Sequence, residues 1–250
     1  MGDVLTFGSL FAGIGGFDLG FERSGMQCKW QVEIDPYARK VLNKHWPAVP
    51  KWDDVRTFPP EGDWSVDVIC GGFPCQDISV AGKGAGIDGE RSGLWSEYVR
   101  IIRLLRPRFV VVENVSALTS RGLDRVLGDL AESGFDAEWA CIPASAFGSL
   151  QTRDRLWIVA NANGHGGAGL VERLNSRSDG QGRAGREADL QQIYGFPANA
   201  GGCWPQPIIR GVDGRIPARV DRIRCLGNAV VPQVTEFIGR MIMDSITQAP

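Results

Sequence analysis

Short apolar runs alternate with amphipathic stretches along the first 160 residues of this 250-residue chain. Five apolar runs have the length of buried strands: Val4–Phe11, Lys29–Ile34, Val66–Gly71, Arg108–Glu113 and Leu156–Ala160. Between the third and fourth runs, apolar residues from Tyr98 to Leu105 recur at i, i+3, i+4 and i+7, which predicts one buried face of a helix. Strands that alternate with helices in this way predict an α/β domain built on a parallel sheet.

Two further helices and one irregular stretch complete the pattern. The turn at residues 13–16 predicts a helix that runs to about Arg23, with Gly25 as its stop. Apolar spacing from Val234 to Ile242 predicts a C-terminal helix. Between them, residues 162–186 are dense in Gly, Arg, Ser and Asn, and regular patterning returns near Val220. We therefore expect a main domain over 1–161, a small insert over 162–216, and a segment over 217–250 that completes the main domain.

Composition narrows the class of protein. Hydrophobic residues make up 43% of the chain and charged residues 22%, which is typical of a soluble globular domain. We find no apolar run of roughly 20 residues and no signal-peptide pattern, so we expect a cytoplasmic protein. The six cysteines form no CxxC pair and there are only two histidines, so we expect neither a metal site nor a disulfide framework.

The charge distribution sets the insert apart from the main domain. Residues 1–162 carry 17 basic and 21 acidic residues, whereas residues 163–224 carry nine arginines and six acidic residues. Arginine is the side chain best suited to phosphate and guanine contacts. The candidate phosphate contacts are Arg173, Arg177, Arg183, Arg186, Arg210 and Arg215. A solvated arginine-rich loop is the alternative that composition leaves open.

A glycine-rich turn follows the first predicted strand. Its glycines, between Phe11 and Phe17, would allow a ligand to approach the backbone closely, and the helix that follows offers free N–H groups. Glu33 lies 18 residues after Gly15, at the end of the next strand, where nucleotide-binding folds place an acid that binds ribose hydroxyls. The turn is not a full G-x-G-x-x-G, and a purely structural turn is equally open.

Reactive side chains follow the later strands. Cys75 comes after strand 66–71 and behind Pro74, which fixes its own φ. Glu113 ends the next strand, and alternation places Arg153 and Arg155 on one side of an extended segment. Residues 79–93 contain five glycines, and we expect a loop there that closes over a substrate. Cys75 could instead be a small buried hydrophobe, and Glu113 a helix cap.

Taken together, these fragments resemble the DNA cytosine-5 methyltransferase family over about residues 1–160 and 217–250. Its motifs occur in order: Phe-x-Gly-x-Gly-Gly at 11–16, Glu33, Asp54, Pro-Cys-Gln at 74–76, Glu-Asn-Val at 113–115, Gln-x-Arg-x-Arg at 151–155, and Gly-Asn at 227–228. The resemblance implies a Rossmann-like methyltransferase domain that binds S-adenosyl-L-methionine, with the insert as a small target-recognition lobe.

The resemblance also assigns roles to residues. Cys75, Glu113, Arg153 and Arg155 would be catalytic. Phe17 would contact the adenine of the cofactor, Glu33 the ribose hydroxyls and Asp54 the adenine amino group. The other implied cofactor residues are Phe11, Gly13, Gly15, Ile34, Pro74, Leu94, Asn228 and Ala229. The implied DNA-binding residues are Gln76, Ser79, Lys83 and Arg91.

The resemblance further implies a monomer that acts on double-stranded DNA in a bacterial or phage-infected cell, with a cognate restriction endonuclease as a possible partner. Two alternatives remain open. A tRNA cytosine-5 methyltransferase would share Cys75, Glu113 and Arg155, although such relatives typically carry a Cys-Phe-Thr tripeptide that this chain lacks. A catalytically inactive DNA-binding protein is the other, and it would have no need of all three side chains.

Overall fold

The computed structural model describes residues 4–74, 93–147, 153–162 and 219–247. Over these ranges the chain forms a seven-stranded sheet in the order β3-β2-β1-β4-β5-β7-β6. The strands are β1 (Thr6–Leu10), β2 (Gln27–Val32), β3 (Lys51–Trp52), β4 (Val68–Gly71), β5 (Phe109–Val115), β6 (Phe135–Pro143) and β7 (Asp154–Ala162). The α/β fold class is confirmed, since helices lie between most of these strands.

The described helices pack on this sheet or follow it. They are α1 (Gly16–Arg23), α2 (Pro36–His45), α3 (Leu94–Leu105), α4 (Leu123–Glu132), α5 (Arg219–Asn228) and α6 (Pro232–Thr247). Short 3-10 turns lie at Val55–Thr57, Ser116–Ser120 and Ala144–Phe147. Among the described helices, none is both long enough and apolar enough to span a membrane.

The sheet is not parallel throughout. Strands β1 to β5 pair in parallel, as the sequence predicted, but β7 runs antiparallel to β5 and to β6. The expectation that the last apolar run, Leu156–Ala160, extends a parallel sheet was therefore wrong. The physical reason is the connection between β6 and β7. These strands are consecutive in the chain and pair antiparallel from Phe135↔Ala162 to Pro143↔Asp154, so the chain reverses its direction before it enters β7.

Apolar side chains cover both faces of the sheet. Successive residues of β5 point to opposite faces, so Val110 and Val112 join one core and Val111 joins the other. The first core also contains the predicted apolar face of α3 and the buried residues of α4. The second core contains residues of α1 and α6. The helices thus form two layers around the sheet, which leaves the strand ends as the place for a site.

The strand order places a crevice between β1 and β4. The chain moves outward from β1 through β2 to β3, and then returns to β4 on the other side of β1. Open α/β sheets bind ligands outside the carboxyl ends of their strands at such a reversal point. The glycine turn after β1, Glu33 after β2, the segment 72–74 after β4 and Glu113 near the end of β5 all lie at this edge.

A polar cluster lies buried between α1 and strands β1 and β2. The Asp18 carboxylate accepts hydrogen bonds from Gln31 Nε2 at 2.8 Å, Ser9 Oγ at 3.3 Å and Cys28 Sγ at 3.4 Å. Burial raises the pKa of Asp18 from 3.8 to about 6, even though these hydrogen bonds lower it. Gln31 Oε1 is buried and has no partner among the described residues. The cluster therefore holds a carboxyl group that resists ionisation.

We expect Asp18→Asn to change how stability depends on pH. Because the folded-state pKa lies above the unfolded value, Asp18 contributes stability below about pH 4 that is lost as the pH rises through about 6. The shift corresponds to roughly 3 kcal/mol. Asparagine carries no charge and could donate to Gln31 Oε1. Urea unfolding of both proteins from pH 4 to pH 8 should show that the free energy of unfolding of the variant rises relative to that of the parent as the pH rises. If the free energies of unfolding of the two proteins changed with pH in parallel, the raised pKa of Asp18 would be contradicted.

Candidate active site

The turn after β1 has an open backbone that requires glycine. Gly13 and Gly15 have φ values of +57° and +90°, which side-chain-bearing residues adopt rarely. A Cβ added at Gly13 would meet no atom within 4 Å, so open space lies above this turn. The Gly13 N–H donates to Glu33 Oε2 at 2.7 Å, which joins the turn to the end of β2. This geometry provides a cleft with a carboxylate at its wall.

Glu33 and Ile34 form that wall. Glu33 Oε1 accepts from the Asp35 N–H at 2.7 Å, so two backbone donors fix the orientation of the carboxylate. Burial raises the pKa of Glu33, while the N–H groups of Asp35 and Gly13 lower it. Next to it, the Ile34 side chain is 63% exposed, which is unusual for a large apolar residue. The wall thus offers both hydrogen-bond acceptors and an apolar surface to a ligand.

The two phenylalanines of the glycine turn lie in different places. Phe17 is only 2% exposed, and its ring packs edge-on against Phe21 and Trp157 at centroid distances of 5.8 and 5.7 Å. It is part of the core between α1 and the sheet, and its contact with an adenine ring stays a prediction. Phe11 is half-buried, has a φ of +52° and stacks on Tyr98 at 6.3 Å. Phe11 is the more exposed of the two rings.

Asp54 is already engaged within its own turn. Its carboxylate accepts from the Arg56 N–H at 3.0 Å and forms a two-pronged contact with the Arg56 guanidinium, at 2.9 Å from each of Nε and Nη2. These hydrogen bonds from Arg56 hold the pKa of Asp54 below its usual value. A ligand amino group would therefore meet an ionised carboxylate that Arg56 orients.

On the other side of the crevice, Glu113 lies almost fully buried next to the segment after β4. A Cβ added at Gly72 would lie 2.9 Å from Glu113 Oε2 and 3.2 Å from the Glu113 carbonyl oxygen. Glycine at position 72 thus permits the close approach of the two segments. The carboxylate of Glu113 consequently lies directly beside the stretch of chain that leads to Cys75.

Asn114 fixes that stretch from the neighbouring strand. Its Nδ2 donates to the Phe73 carbonyl at 3.2 Å, and its Oδ1 accepts from the Val115 N–H at 2.8 Å. Phe73 is buried against Trp95, and Pro74 follows half-buried. Cys75, Gln76, Ser79, Lys83 and Arg91 lie outside the described residues. Sequence reasoning gave Asn114 no role, although the Glu-Asn-Val motif contains it.

Arg155 forms an ion pair with Glu113. The Arg155 Nε lies 3.0 Å from Glu113 Oε1, and Arg155 Nη1 donates to the Asp154 carbonyl at 2.8 Å. Burial raises the pKa of Glu113 against the opposing charges of Arg155 and Arg153. Burial lowers the pKa of Arg153, as does the charge of Arg155. The structure therefore brings together three of the four predicted catalytic residues.

The antiparallel register explains why these side chains meet. Glu113 pairs directly with Trp157, and Val115 with Arg155, so Trp157 and Arg155 flank Glu113 on one face. A cavity of about 10 Å³, enough for a single water, lies among these residues and Ala229. Trp157 Nε1 is buried without a partner in the described parts of the chain. Sequence reasoning missed Trp157, although continuing the alternation from Arg155 would have found it.

The remaining candidates lie around the crevice. Leu94 is the first residue of α3 and packs at the edge of the first core. Asn228 ends α5 and is exposed, while Ala229 lines the small cavity beside Glu113. Thr235 Oγ1 donates to the Gly16 carbonyl at 3.2 Å, which ties the start of α6 to the glycine turn. No group of three or more His, Cys, Asp or Glu residues in the described ranges could hold a metal.

Comparison with known proteins decides the family. The model of the C-5 cytosine-specific DNA methylase family matches residues 5–183, which is more than half of the chain. The chain belongs to the C-5 cytosine-specific DNA methylase family. It is 36% identical over 164 residues to the type II methyltransferase M2.BsuMI of Bacillus subtilis, and 36% identical over 167 residues to M.HpaII of Haemophilus parainfluenzae.

These alignments cover only part of each relative. They span 61% of this chain and 41% of M2.BsuMI, and 63% of this chain and 46% of M.HpaII. The chain thus matches less than half the length of either relative. A methyltransferase of Entamoeba histolytica, EhMeth, aligns over 97% of this chain and 99% of its own with a TM-score of 0.64. At 13% identity this likeness shows the methyltransferase fold alone.

Methylases of this family use S-adenosyl-L-methionine, and the cleft beside β1 has features that fit it. The space above Gly13 would accept the ligand near the backbone. The oriented Glu33 carboxylate can accept hydrogen bonds from ribose hydroxyls, since each oxygen retains a free acceptor position. Exposed Ile34 offers an apolar surface for a purine ring. The residues present therefore suit the cofactor.

Proposed function

We propose that this chain transfers a methyl group to C5 of cytosine in double-stranded DNA, through a covalent bond between Cys75 Sγ and C6 of the base. The observation that carries the proposal is the buried Glu113, paired with Arg155 at the strand edge and lying beside the segment that leads into Cys75. This set of groups suits a nucleobase, because a carboxyl group and a guanidinium can together satisfy the polar edge of cytosine.

The chain's own residues perform most steps of this reaction. The Cys75 thiolate adds to C6, which makes C5 electron-rich. Glu113 holds a proton at N3 and accepts from the exocyclic amine, and Arg155 donates to O2, so that both stabilise the negative charge that develops on the ring. After methylation, water removes the C5 proton, the C6–sulfur bond breaks and the thiolate returns. The raised pKa of Glu113 favours the protonated form that this role requires.

Cofactor binding falls to the other side of the crevice. S-adenosyl-L-methionine, when bound, supplies the electrophilic methyl group. Glu33 would bind the ribose hydroxyls, and Asp54 would accept from the adenine amino group. Phe17, Ile34 and Phe11 would contact the adenine. Asn228 and Ala229 would contact the cofactor from the C-terminal segment. The target base must leave the duplex to reach this crevice, because C5 and C6 are stacked within B-DNA.

The test of the function is to express the chain in a host without DNA cytosine methylation and to sequence the host DNA after bisulfite conversion. We expect protected cytosines in a short sequence context of about two to four base pairs. The basic insert over 162–216 would read that context, and about 50 residues can supply few base contacts, each worth roughly 1–3 kcal/mol. An inactive Cys75→Ala chain provides the background.

The alternatives give different outcomes in the same experiment. Unmodified DNA together with methylated cytosine in tRNA would support the tRNA methyltransferase instead. Unmodified DNA and tRNA together with cofactor-independent DNA binding would support an inactive binding protein. The chain acts as a monomer in this proposal, and a cognate restriction endonuclease would be encoded separately.

We expect Glu33→Ala to weaken cofactor binding while DNA affinity stays close to that of the parent. Loss of a carboxylate that accepts from ribose hydroxyls should cost about 1.5–3 kcal/mol, or roughly ten- to 150-fold in Kd. Calorimetric titration with S-adenosyl-L-methionine measures the change, and Glu132→Ala on the exposed side of α4 is the control. Thermal unfolding must accompany the titration, because Glu33 also accepts from Gly13 and Asp35. Unchanged cofactor affinity would refute this role.

A further inference from the structure

The described side chains of helix α5 make little apolar packing against the domain. None of its side chains that the structure describes is buried, and Val220 and Leu226 are 79% and 64% exposed. Apolar burial is the usual force that seats a helix. Yet α5 ends at Asn228, one of the residues proposed to contact the cofactor. Among the described side chains, a polar contact is thus the interaction available to set the position of α5.

A charged contact joins α5 to the cofactor cleft. Arg224 Nη2 lies 2.5 Å from Asp35 Oδ2 and 3.1 Å from Asp221 Oδ1. Asp35 is itself rigid, because its Oδ1 caps α2 by accepting from the N–H groups of Tyr37 and Ala38, both at 2.9 Å. Its own N–H donates to Glu33 Oε1. The contacts thus run without a break from α5 through Asp35 to the Glu33 carboxylate and on to Gly13.

We propose that Arg224 is a positioning residue for the cofactor: its ion pair with Asp35 holds α5 against the cleft, so that Glu33 and Asn228 can engage the same ligand. This inference rests on the proposed function. An exposed ion pair contributes little to the stability of a whole domain, so its loss should leave the fold intact. Its loss should still change the position of α5, because the ion pair joins this helix to Asp35. The two residues lie 189 positions apart, so only the fold brings them together.

The two sides of the ion pair can be altered separately. Asp35→Asn removes the charge but keeps a good helix cap for α2, since asparagine caps as well as aspartate. Arg224→Gln removes the opposite charge, and Arg224→Lys restores it. Arg240→Gln is the matched control, because Arg240 forms a similarly exposed ion pair with Glu236 on α6.

Calorimetric titration with S-adenosyl-L-methionine, without DNA, is the readout. We expect Arg224→Gln and Asp35→Asn each to raise Kd about three- to fivefold. The double variant should be no weaker than the weaker single variant, because both remove one interaction. Arg224→Lys should recover most of the loss, and Arg240→Gln should bind like the parent. Hydrogen exchange should quicken in 219–228 and stay unchanged in 232–247.

The results separate this inference from the function on which it rests. If the parent chain binds no cofactor, the proposed function fails. If the parent binds and Arg224→Gln binds equally well, the positioning role fails while the function stands. Additive effects of the two single variants would also overturn the role, because they would show that Arg224 and Asp35 act independently.

Discussion

Replacing Cys75 by serine should abolish turnover while leaving cofactor binding unchanged. A thiol has a reference pKa of about 8.5 and supplies a useful fraction of thiolate at neutral pH, whereas a serine hydroxyl supplies almost no alkoxide. Loss of a nucleophile lowers enzyme rates by roughly 10⁴-fold or more. Transfer of a labelled methyl group to DNA measures the rate, and calorimetry with S-adenosyl-L-methionine shows whether the variant is folded.

A substrate analogue tests the covalent step directly. DNA that contains 5-fluorocytosine should trap the parent chain, because fluorine cannot leave C5 as a proton does and Cys75 then stays bonded to C6. The adduct should survive denaturation, and Cys75→Ser should form none. Cys141 is exposed and far along the chain from the motif, so Cys141→Ser is a matched control that should trap normally. A denaturation-stable adduct with Cys75→Ser would disprove Cys75 as nucleophile.

Glu113→Gln should produce the second largest loss in the rate of methyl transfer to DNA. Glutamine is nearly the same size but cannot hold an acidic proton at N3, and proton transfer by a positioned side chain contributes about 10²–10⁴-fold to rates. Because burial raises the pKa of Glu113, its proton is retained to higher pH than usual and is lost as the pH rises further. The parent rate should therefore fall at high pH through this group, and the variant should lack that fall.

A control for Glu113→Gln is available on α6. Glu236 is also buried and forms an ion pair with Arg240 at 2.8 Å, but it takes no part in the crevice. Glu236→Gln should therefore methylate DNA like the parent, with the same pH profile. If Glu113→Gln retained activity within about tenfold of Glu236→Gln and kept the parent's profile, Glu113 would not be the proton donor.

Several strands and helices could be predicted from the sequence, because local patterns of apolar residues and glycines determine them. The first strand, the glycine turn, α1 and α3 were predicted at nearly their observed positions. The direction of β7 could not be predicted, because alternating apolar residues look the same from either end of a strand. Strand β6 was missed, since it lies at the sheet edge and most of its residues are half-exposed or exposed, so the pattern is weak.

The site was predicted in its parts but not in its arrangement. Motifs located Glu33, Glu113 and Arg155, whereas nothing local indicates that Arg155 pairs with Glu113 or that Arg224 reaches Asp35. The burial of Phe17 could have been predicted, because Phe17 and Phe21 stand four residues apart and share the buried face of α1. Helix α2 could also have been predicted, since an aspartate followed by proline is a common helix start.

The antiparallel pairing of β5 with β7 has a consequence for how this site can evolve. Side chains alternate along a strand, so inserting or deleting one residue of β7 after Arg155 would turn both arginines to the opposite face, away from Glu113. Point substitutions along the same strand leave that alternation intact. Substitutions elsewhere in β7 are therefore compatible with the site, whereas a change of length by one residue between Arg155 and Ala160 is not.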